Sequence, residues 1–178
     1  MQNSRLADGR SVEGFGGWSR RQVNSLGFLV CALALAYAYY AQFGQGVEPC
    51  PLCIFQRLAL AAVGLAFLAA AVHNPRDGGA KLYGVLIDLT ATVGLLIAGR
   101  HVWLQHLPPE QAPRCGPSLE YMLQTFPLGE TLREVLIGSG ECAKVDWTLL
   151  GLSMPTWNIV LFFALGAGGL LANWRLRR

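Results

Sequence analysis

The order of hydrophobic and polar residues divides the chain into four long apolar segments. They run over residues 23–43, 54–72, 82–99 and 155–174, and each approaches the roughly 20 apolar residues that cross a bilayer. Within lipid, a helix pairs every backbone N–H and C=O group inside the segment itself. The pattern therefore predicts an all-α integral membrane protein, an antiparallel four-helix transmembrane bundle.

The connections between these segments differ in length. Residues 44–53 and 73–81 form short connections, whereas residues 100–154 form the one long loop. Within this loop, apolar residues recur at helical spacing on both sides of Pro127. This spacing predicts one or two short amphipathic helices that lie on the membrane surface.

The composition agrees with a membrane protein. Apolar residues make up 53% of the chain, and charged residues only 14%, against about 25% in typical soluble domains. The mean hydropathy is +0.37 and the net charge is +3. The sequence has no basic stripe, zinc-finger spacing or aromatic RNA-binding motif, so we expect a lipid bilayer and no nucleic acid as partner.

The basic residues indicate how the chain is oriented. Nine of the 14 Lys and Arg residues lie in the arm 1–22, the connection 73–81 and the tail 175–178, whereas six acidic residues lie in loop 100–154. Because basic residues are retained in the cytoplasm, both termini are predicted there and the long loop outside. Disulfides persist on that outer side. Four of the five cysteines then face it: Cys50, Cys53, Cys115 and Cys142.

The motif that matters most for chemistry is Cys50-x-x-Cys53, directly before the second apolar segment. Two thiols at this spacing can close into a disulfide and reopen, so the motif predicts a redox switch. A structural disulfide or half of a zinc site are the alternatives. If the segment is helical, Cys53 lies in its first turn, where the helix dipole favours thiolate over thiol. Arg57 follows four residues later and shares a helix face with Cys53.

The other cysteines allow more than one interpretation. Cys115 and Cys142 in the long loop could form a structural disulfide, worth about 3–4 kcal/mol. Beside a CxxC motif on the same side, they could instead relay thiol–disulfide exchange. A zinc site of all four cysteines is disfavoured because a second short-spaced pair is missing. Cys31, within the first apolar segment, is interpreted as a small buried hydrophobe.

Two histidines, His101 and His106, follow the third apolar segment, at the membrane depth predicted for Arg57. Residues there often serve only as interfacial anchors. A histidine at this depth could also donate a hydrogen bond, or pass a proton, to a bound carbonyl group. Asp88, inside the third segment, is left without a role, because Lys81 is near enough to pair with it.

Several motifs occur together with the four spans and the paired loop cysteines. They are Cys50-Pro51-Leu52-Cys53, the following Ile54-Phe55-Gln56-Arg57, Gly140-Glu141-Cys142 before Trp147, and Gly151-Leu152-Ser153-Met154-Pro155. Over roughly residues 25–172 the chain thereby resembles the disulfide bond formation protein B family (DsbB). The resemblance implies four transmembrane helices in the bacterial inner membrane, with cytoplasmic termini and periplasmic cysteines.

The resemblance also implies an activity and its partners. The family oxidises the periplasmic thiol oxidase DsbA and passes the electrons to ubiquinone, or to menaquinone under anaerobic conditions, and so to the respiratory chain. The loop pair that exchanges with the partner corresponds to Cys115 and Cys142. The pair that reoxidises it and reduces the quinone corresponds to Cys50 and Cys53, with Cys53 the thiolate closest to the quinone.

For quinone binding, the resemblance points to Arg57 and to His106, with His101 as the alternative because the alignment of His106 needs a gap. Two other functions stay open. A vitamin K epoxide reductase-like enzyme would carry its CxxC motif after the loop cysteines, whereas here the motif precedes them. A tetraspan scaffold or carrier with structural disulfides would give Arg57 and the CxxC motif no role in electron transfer.

Overall fold

The structure, a computed structural model, describes residues 18–76, 78–108, 110–111, 119–143, 145 and 148–176. Its α-helices are α1 (Arg20–Gln45), α2 (Pro51–His73), α3 (Gly78–Gln105), α4 (Leu119–Thr125), α5 (Leu128–Ile137) and α6 (Met154–Arg175). Helices α1, α2, α3 and α6 are each long and apolar enough to cross a membrane, and each contains one predicted span. The chain is therefore an all-α integral membrane protein, as its hydrophobic pattern predicts.

The four long helices pack side by side around an apolar core. Helix α3 packs most closely on α6, α1 on α2, and α2 on α3. Phe67, Ile87 and Phe162 are among the fully buried side chains of this core, and Cys31 lies with them, only 1% exposed. The interpretation of Cys31 as a buried hydrophobe is thus confirmed. On the outside, large apolar side chains such as Leu33 and Phe163 are exposed, as a lipid-facing surface requires.

Close packing of α3 on α6 depends on glycine. A Cβ atom at Gly94 would overlap the ring of Phe162, whereas a Cβ atom at Gly99 on the same helix would meet nothing within 4 Å. We expect Gly94→Ala to destabilise the bundle by about 1–3 kcal/mol, since overpacked cores cost this much. Gly99→Ala, the matched control, should not lower the melting temperature in detergent. Equal melting temperatures for the two variants would contradict this packing.

At the end of the bundle where α1 begins, polar side chains hold the helices together. The side chains of Asn24 and Asn173 donate hydrogen bonds to each other, at 3.1 and 3.0 Å, and both are buried. The guanidinium of Arg20 donates to the backbone carbonyl of Pro75 in the turn between α2 and α3. Buried polar groups of this kind need partners, and here they join the first helix to α6 and to the connection between α2 and α3.

The other end of the bundle carries the long loop. Helices α4 and α5 lie on either side of Pro127, as predicted, and their placement on a membrane surface stays a prediction. Arg100 on α3 donates hydrogen bonds to the carbonyls of Leu136 and Ile137 at the end of α5, at 3.1 and 2.8 Å. The loop continues with a 3-10 helix, Gly140–Ala143, and a hairpin of β1 (Thr148–Leu149) and β2 (Leu152–Ser153). The hydrogen bonds of Arg100 hold the end of α5, and with it this part of the loop, against α3.

Candidate active site

The CxxC motif forms the first turn of α2. Cys50 is the N-cap residue, with an extended backbone, and its sulfur accepts a hydrogen bond from the backbone N–H of Cys53 at 3.4 Å. Pro51 occupies the first helical position, where the missing N–H costs nothing. Cys53 therefore lies in the first turn of the helix, as predicted, and the positive end of the helix dipole stabilises a thiolate there.

Three cysteine sulfurs meet at this point. The Sγ atoms of Cys50 and Cys53 are 3.2 Å apart, and both residues are free thiols. The 3-10 helix brings the Sγ atom of Cys142 to the same place, where the sulfurs of Cys50 and Cys142 and a ring nitrogen of His101 lie within 4.8 Å of one another. Cys115 lies outside the described residues. Cys50 thus contacts both Cys53 and Cys142 and can exchange with either.

Burial and hydrogen bonding distinguish the sulfurs of Cys50 and Cys142. Cys142 is 0% exposed and Cys50 8%, in an apolar cluster with Leu52 and Leu104. The pKa of Cys142 is lowered to about 6, first because Cys50 donates a hydrogen bond to its sulfur, although burial opposes this. The pKa of Cys50 is raised, because its proton is held by hydrogen bonds to Cys142 and then to Cys53. In the reduced state, Cys50 is the thiol and Cys142 the better nucleophile.

An apolar cavity of about 230 Å³ lies on one side of Cys53. Helix α2 contributes Cys53, Gln56 and Arg57 to its wall, and α1 and α6 contribute mostly apolar side chains that include Tyr37 and Trp157. A concave, mainly apolar site with a few polar groups is the usual form of a small-molecule site. The cavity can therefore hold a flat apolar ring beside a thiolate.

Arg57 is fixed at this cavity by helix α1. Its guanidinium donates one hydrogen bond to the side-chain oxygen of Gln42 and another to the carbonyl of Ala38, the latter at 3.1 Å. Its Cζ atom also lies 5.2 Å from the ring centroid of Tyr39. Arg57 and Cys53 line the same cavity, which agrees with their predicted common helix face. The arrangement places a permanent cation where negative charge on a bound oxygen would be stabilised.

A second, more polar cavity of about 300 Å³ adjoins the first and shares Glu48, Cys53 and Pro155 with it. Its wall includes Cys50, His101 and the acidic residues Glu48 and Glu141. Cys53 borders both cavities, so its sulfur can contact groups in either one. The site therefore joins a polar compartment to an apolar one through a single thiol.

The structure brings His101, and not His106, to the cysteines. His101 is buried, and its Nε2 atom lies 3.8 Å from the sulfur of Cys50. His106 is exposed, and its Nδ1 atom contacts the carbonyl of Val102 one turn earlier. The physical reason is that α3 continues to Gln105. His106 follows His101 by five residues, so the two side chains point in directions about 140° apart around the helix axis. Of the two histidines, His101 is therefore the one that lies at the cysteines, and quinone binding by either residue stays a prediction.

Sequence reasoning missed two amides that complete the site. The Nδ1 atom of His101 lies 3.0 Å from the side-chain nitrogen of Gln56, which is itself buried. Asn158 on α6 donates a hydrogen bond to the side-chain oxygen of Gln56 at 2.6 Å. The available signal was the presence of an amide inside an apolar span, since polar residues at membrane depth usually have a function.

Comparison with known proteins finds one family over most of the chain. The model of the family described as disulfide bond formation protein DsbB matches residues 20–172. A disulfide bond formation protein B from Methylococcus capsulatus is 56% identical over 160 residues, which cover 90% of this chain and 98% of that protein. The protein of the same name from Nitrosococcus oceani is 51% identical, with 90% and 93% covered. That from Xanthomonas axonopodis pv. citri is 49% identical, with 90% and 94% covered.

Proposed function

Because the chain belongs to the DsbB family, we propose that this membrane disulfide-forming oxidoreductase reoxidises a periplasmic DsbA-like thiol oxidase and passes the electrons to ubiquinone. The observation that carries the proposal is the position of Cys53, which borders a polar cavity beside Cys50 and an apolar cavity beside Arg57. The distribution of basic residues supports an inner-membrane orientation with both termini in the cytoplasm and the cysteines on the periplasmic side.

The first exchange uses the loop cysteines. Cys142 is fully buried, so a visiting protein cannot reach its sulfur, and the partner's thiolate attacks Cys115 instead. The Cys115–Cys142 bond breaks, and its electron pair stays on Cys142 as a thiolate. The Oγ atom of Ser139 lies 3.7 Å from the sulfur of Cys142 and can donate a hydrogen bond to this departing thiolate.

The second exchange joins the two pairs. The Cys142 thiolate attacks Cys50 in the Cys50–Cys53 disulfide, and the electron pair of the broken bond goes to Cys53, at the N-terminus of α2. The partner's second thiol then forms the partner's own disulfide and frees Cys115 as a thiolate. Cys115 attacks Cys142, the loop disulfide re-forms, and Cys50 leaves as a thiolate. The net result is one disulfide in the partner and a reduced Cys50–Cys53 pair.

A quinone fits the chemistry of the apolar cavity. DsbA-type oxidases are among the most oxidising dithiols, so only an acceptor of still higher potential can take electrons that come from them. A ubiquinone from the membrane pool, or a menaquinone under anaerobic conditions, would accept two electrons and two protons when bound in this cavity. Arg57 would hold its oxygen and stabilise negative charge there, while Tyr37 and Trp157 would form apolar walls.

The proposal is tested by turnover of the purified protein with reduced DsbA-like oxidase and a soluble ubiquinone analogue. We expect quinone absorbance to fall as the partner becomes oxidised. A Cys115→Ala variant should lose turnover with the protein substrate but keep it with dithiothreitol, which can reduce the Cys50–Cys53 pair directly. Normal turnover of this variant with the partner would contradict the relay, and wild-type protein without quinone reduction would contradict the function.

A further inference from the structure

A buried chain of hydrogen bonds leads from helix α6 to the sulfur of Cys50. Asn158 donates to the side-chain oxygen of Gln56 at 2.6 Å, and the nitrogen of Gln56 lies 3.0 Å from Nδ1 of His101. The Nε2 atom of His101 lies 3.8 Å from the sulfur of Cys50. Gln56 and His101 are each only 3% exposed. Because α2, α3 and α6 each contribute one of the three polar side chains, the imidazole cannot turn without breaking a buried hydrogen bond.

The direction of these hydrogen bonds decides which ring nitrogen of His101 carries the proton. The oxygen of Gln56 accepts from Asn158, so the NH₂ group of Gln56 is the part that faces His101. An NH₂ group can only donate, so Nδ1 of His101 accepts and carries no proton. The single proton of the neutral imidazole is then on Nε2, which faces Cys50. His101 is thus prepared to donate a hydrogen bond to a sulfur anion.

We infer that His101 is a catalytic residue whose Nε2–H stabilises the thiolate of Cys50, and that Gln56 and Asn158 are positioning residues that hold its imidazole. The inference rests on the proposed function, in which the sulfur of Cys50 reacts twice.

When Cys115 attacks Cys142, the Cys115–Cys142 bond forms and the Cys142–Cys50 bond breaks. The electron pair stays on Cys50, no proton moves, and Nε2–H donates to the new anion. This donor matters because Cys50 is buried and has little water to solvate its charge.

Other titratable groups surround His101 and must be held constant in a test. Among the described residues, these are the thiols of Cys53 and Cys142, and the carboxylates of Glu48 and Glu141, which line the polar cavity with His101. The test therefore uses the full chain with Cys53→Ala, Cys115→Ala and Cys142→Ala, so that Cys50 is the remaining thiol of the site. Every variant keeps both carboxylates.

The experiment measures how alkylation of Cys50 by iodoacetamide depends on pH, with the modified residue identified by mass spectrometry. Only the thiolate reacts, so the midpoint of the profile reports how readily Cys50 ionises. We expect His101→Leu to raise this midpoint by about one pH unit, which means roughly tenfold less thiolate at neutral pH. His101→Gln, whose amide can donate from near the position of Nε2, should restore most of the shift.

Two further variants separate a positioning role from a structural one. Gln56→Met, of similar length but without polar atoms, should move the midpoint in the same direction by a smaller amount. His73→Leu is the histidine control, because His73 contacts Tyr83 at the opposite end of the bundle, and it should leave the midpoint unchanged. An unchanged midpoint in a folded His101→Leu variant would overturn the role of His101, and an unchanged midpoint in Gln56→Met would overturn that of Gln56.

This assay requires neither quinone nor partner protein, so its result does not depend on the proposed function. In a chain that keeps all its cysteines, His101→Leu should also lower quinone turnover about tenfold at neutral pH, with partial recovery at higher pH. A wild-type protein that fails to reduce quinone, but whose Cys50 profile responds to His101, would refute the proposed function alone. A wild-type protein that turns over normally, with a Cys50 profile insensitive to His101, would refute this inference alone.

Discussion

Replacement of Cys53 by serine is expected to abolish quinone reduction, with a loss of roughly a thousandfold or more, as for other enzymes that lose their nucleophile. Serine fills almost the same space, so the first turn of α2 should keep its geometry. Its hydroxyl group can neither form a disulfide with Cys50 nor ionise near neutral pH. The measurement is the anaerobic loss of quinone absorbance when reduced partner is supplied.

A matched control for this variant is available in the same chain. Cys31 is also buried, but it lies in the apolar core among α1, α2, α3 and α6 and has no thiol neighbour among the described residues. We expect Cys31→Ala to keep quinone turnover near the wild-type rate. Turnover that survives in Cys53→Ser, or that is lost equally in Cys31→Ala, would contradict the assignment of Cys53.

Replacement of Arg57 by alanine should raise the KM for quinone by about 10- to 100-fold, with a smaller effect on the maximal rate. A hydrogen bond to a charged group contributes about 1.5–3 kcal/mol, and each 1.4 kcal/mol changes affinity tenfold. Arg57 is held in place by Gln42 and the carbonyl of Ala38, so it is preorganised for an oxygen in the cavity. Steady-state kinetics with a soluble quinone analogue measure this effect.

The control for Arg57 is another arginine at the same end of the bundle. Arg100 stacks on Trp103, with 4.2 Å between Cζ and the ring centroid, and donates to carbonyls of α5. Its guanidinium does not line the apolar cavity. We expect Arg100→Ala to leave the quinone KM unchanged. An unchanged KM in Arg57→Ala would remove Arg57 from the site and would favour the scaffold alternative, in which this residue has no role in electron transfer.

The parts of the molecule that follow from local rules were predictable from the sequence. Four apolar segments must be helices in lipid, and a helix that begins after Cys50 must place Cys53 in its first turn. The spacing of four residues between Cys53 and Arg57 fixes their common face in any α-helix. These features require no knowledge of how the helices pack.

The rest of the site depends on packing and on where a helix ends. The contact of Gln56 with Asn158 joins residues 102 positions apart, so no local pattern reveals it. The position of His106 away from the cysteines was not predictable either, because it depends on the continuation of α3 to Gln105, which turns that residue outward. The hairpin turn was only partly indicated by the sequence. Gly151, with a φ of 79°, is a typical turn residue, but Leu150 adopts a φ of 54°, where Asn or Asp is usual.

The central claim is that the electron acceptor binds in the apolar cavity beside Cys53 and Arg57. A photoreactive ubiquinone analogue, applied to the purified protein and mapped by mass spectrometry, tests this claim most directly. We predict that labelling falls on residues that line the cavity from three helices, such as Tyr37, Leu60 and Trp157, and that it is suppressed by unlabelled ubiquinone. Suppressible labelling at the opposite end of the bundle, near Trp18 and Leu29, or labelling that ubiquinone does not suppress, would contradict the claim.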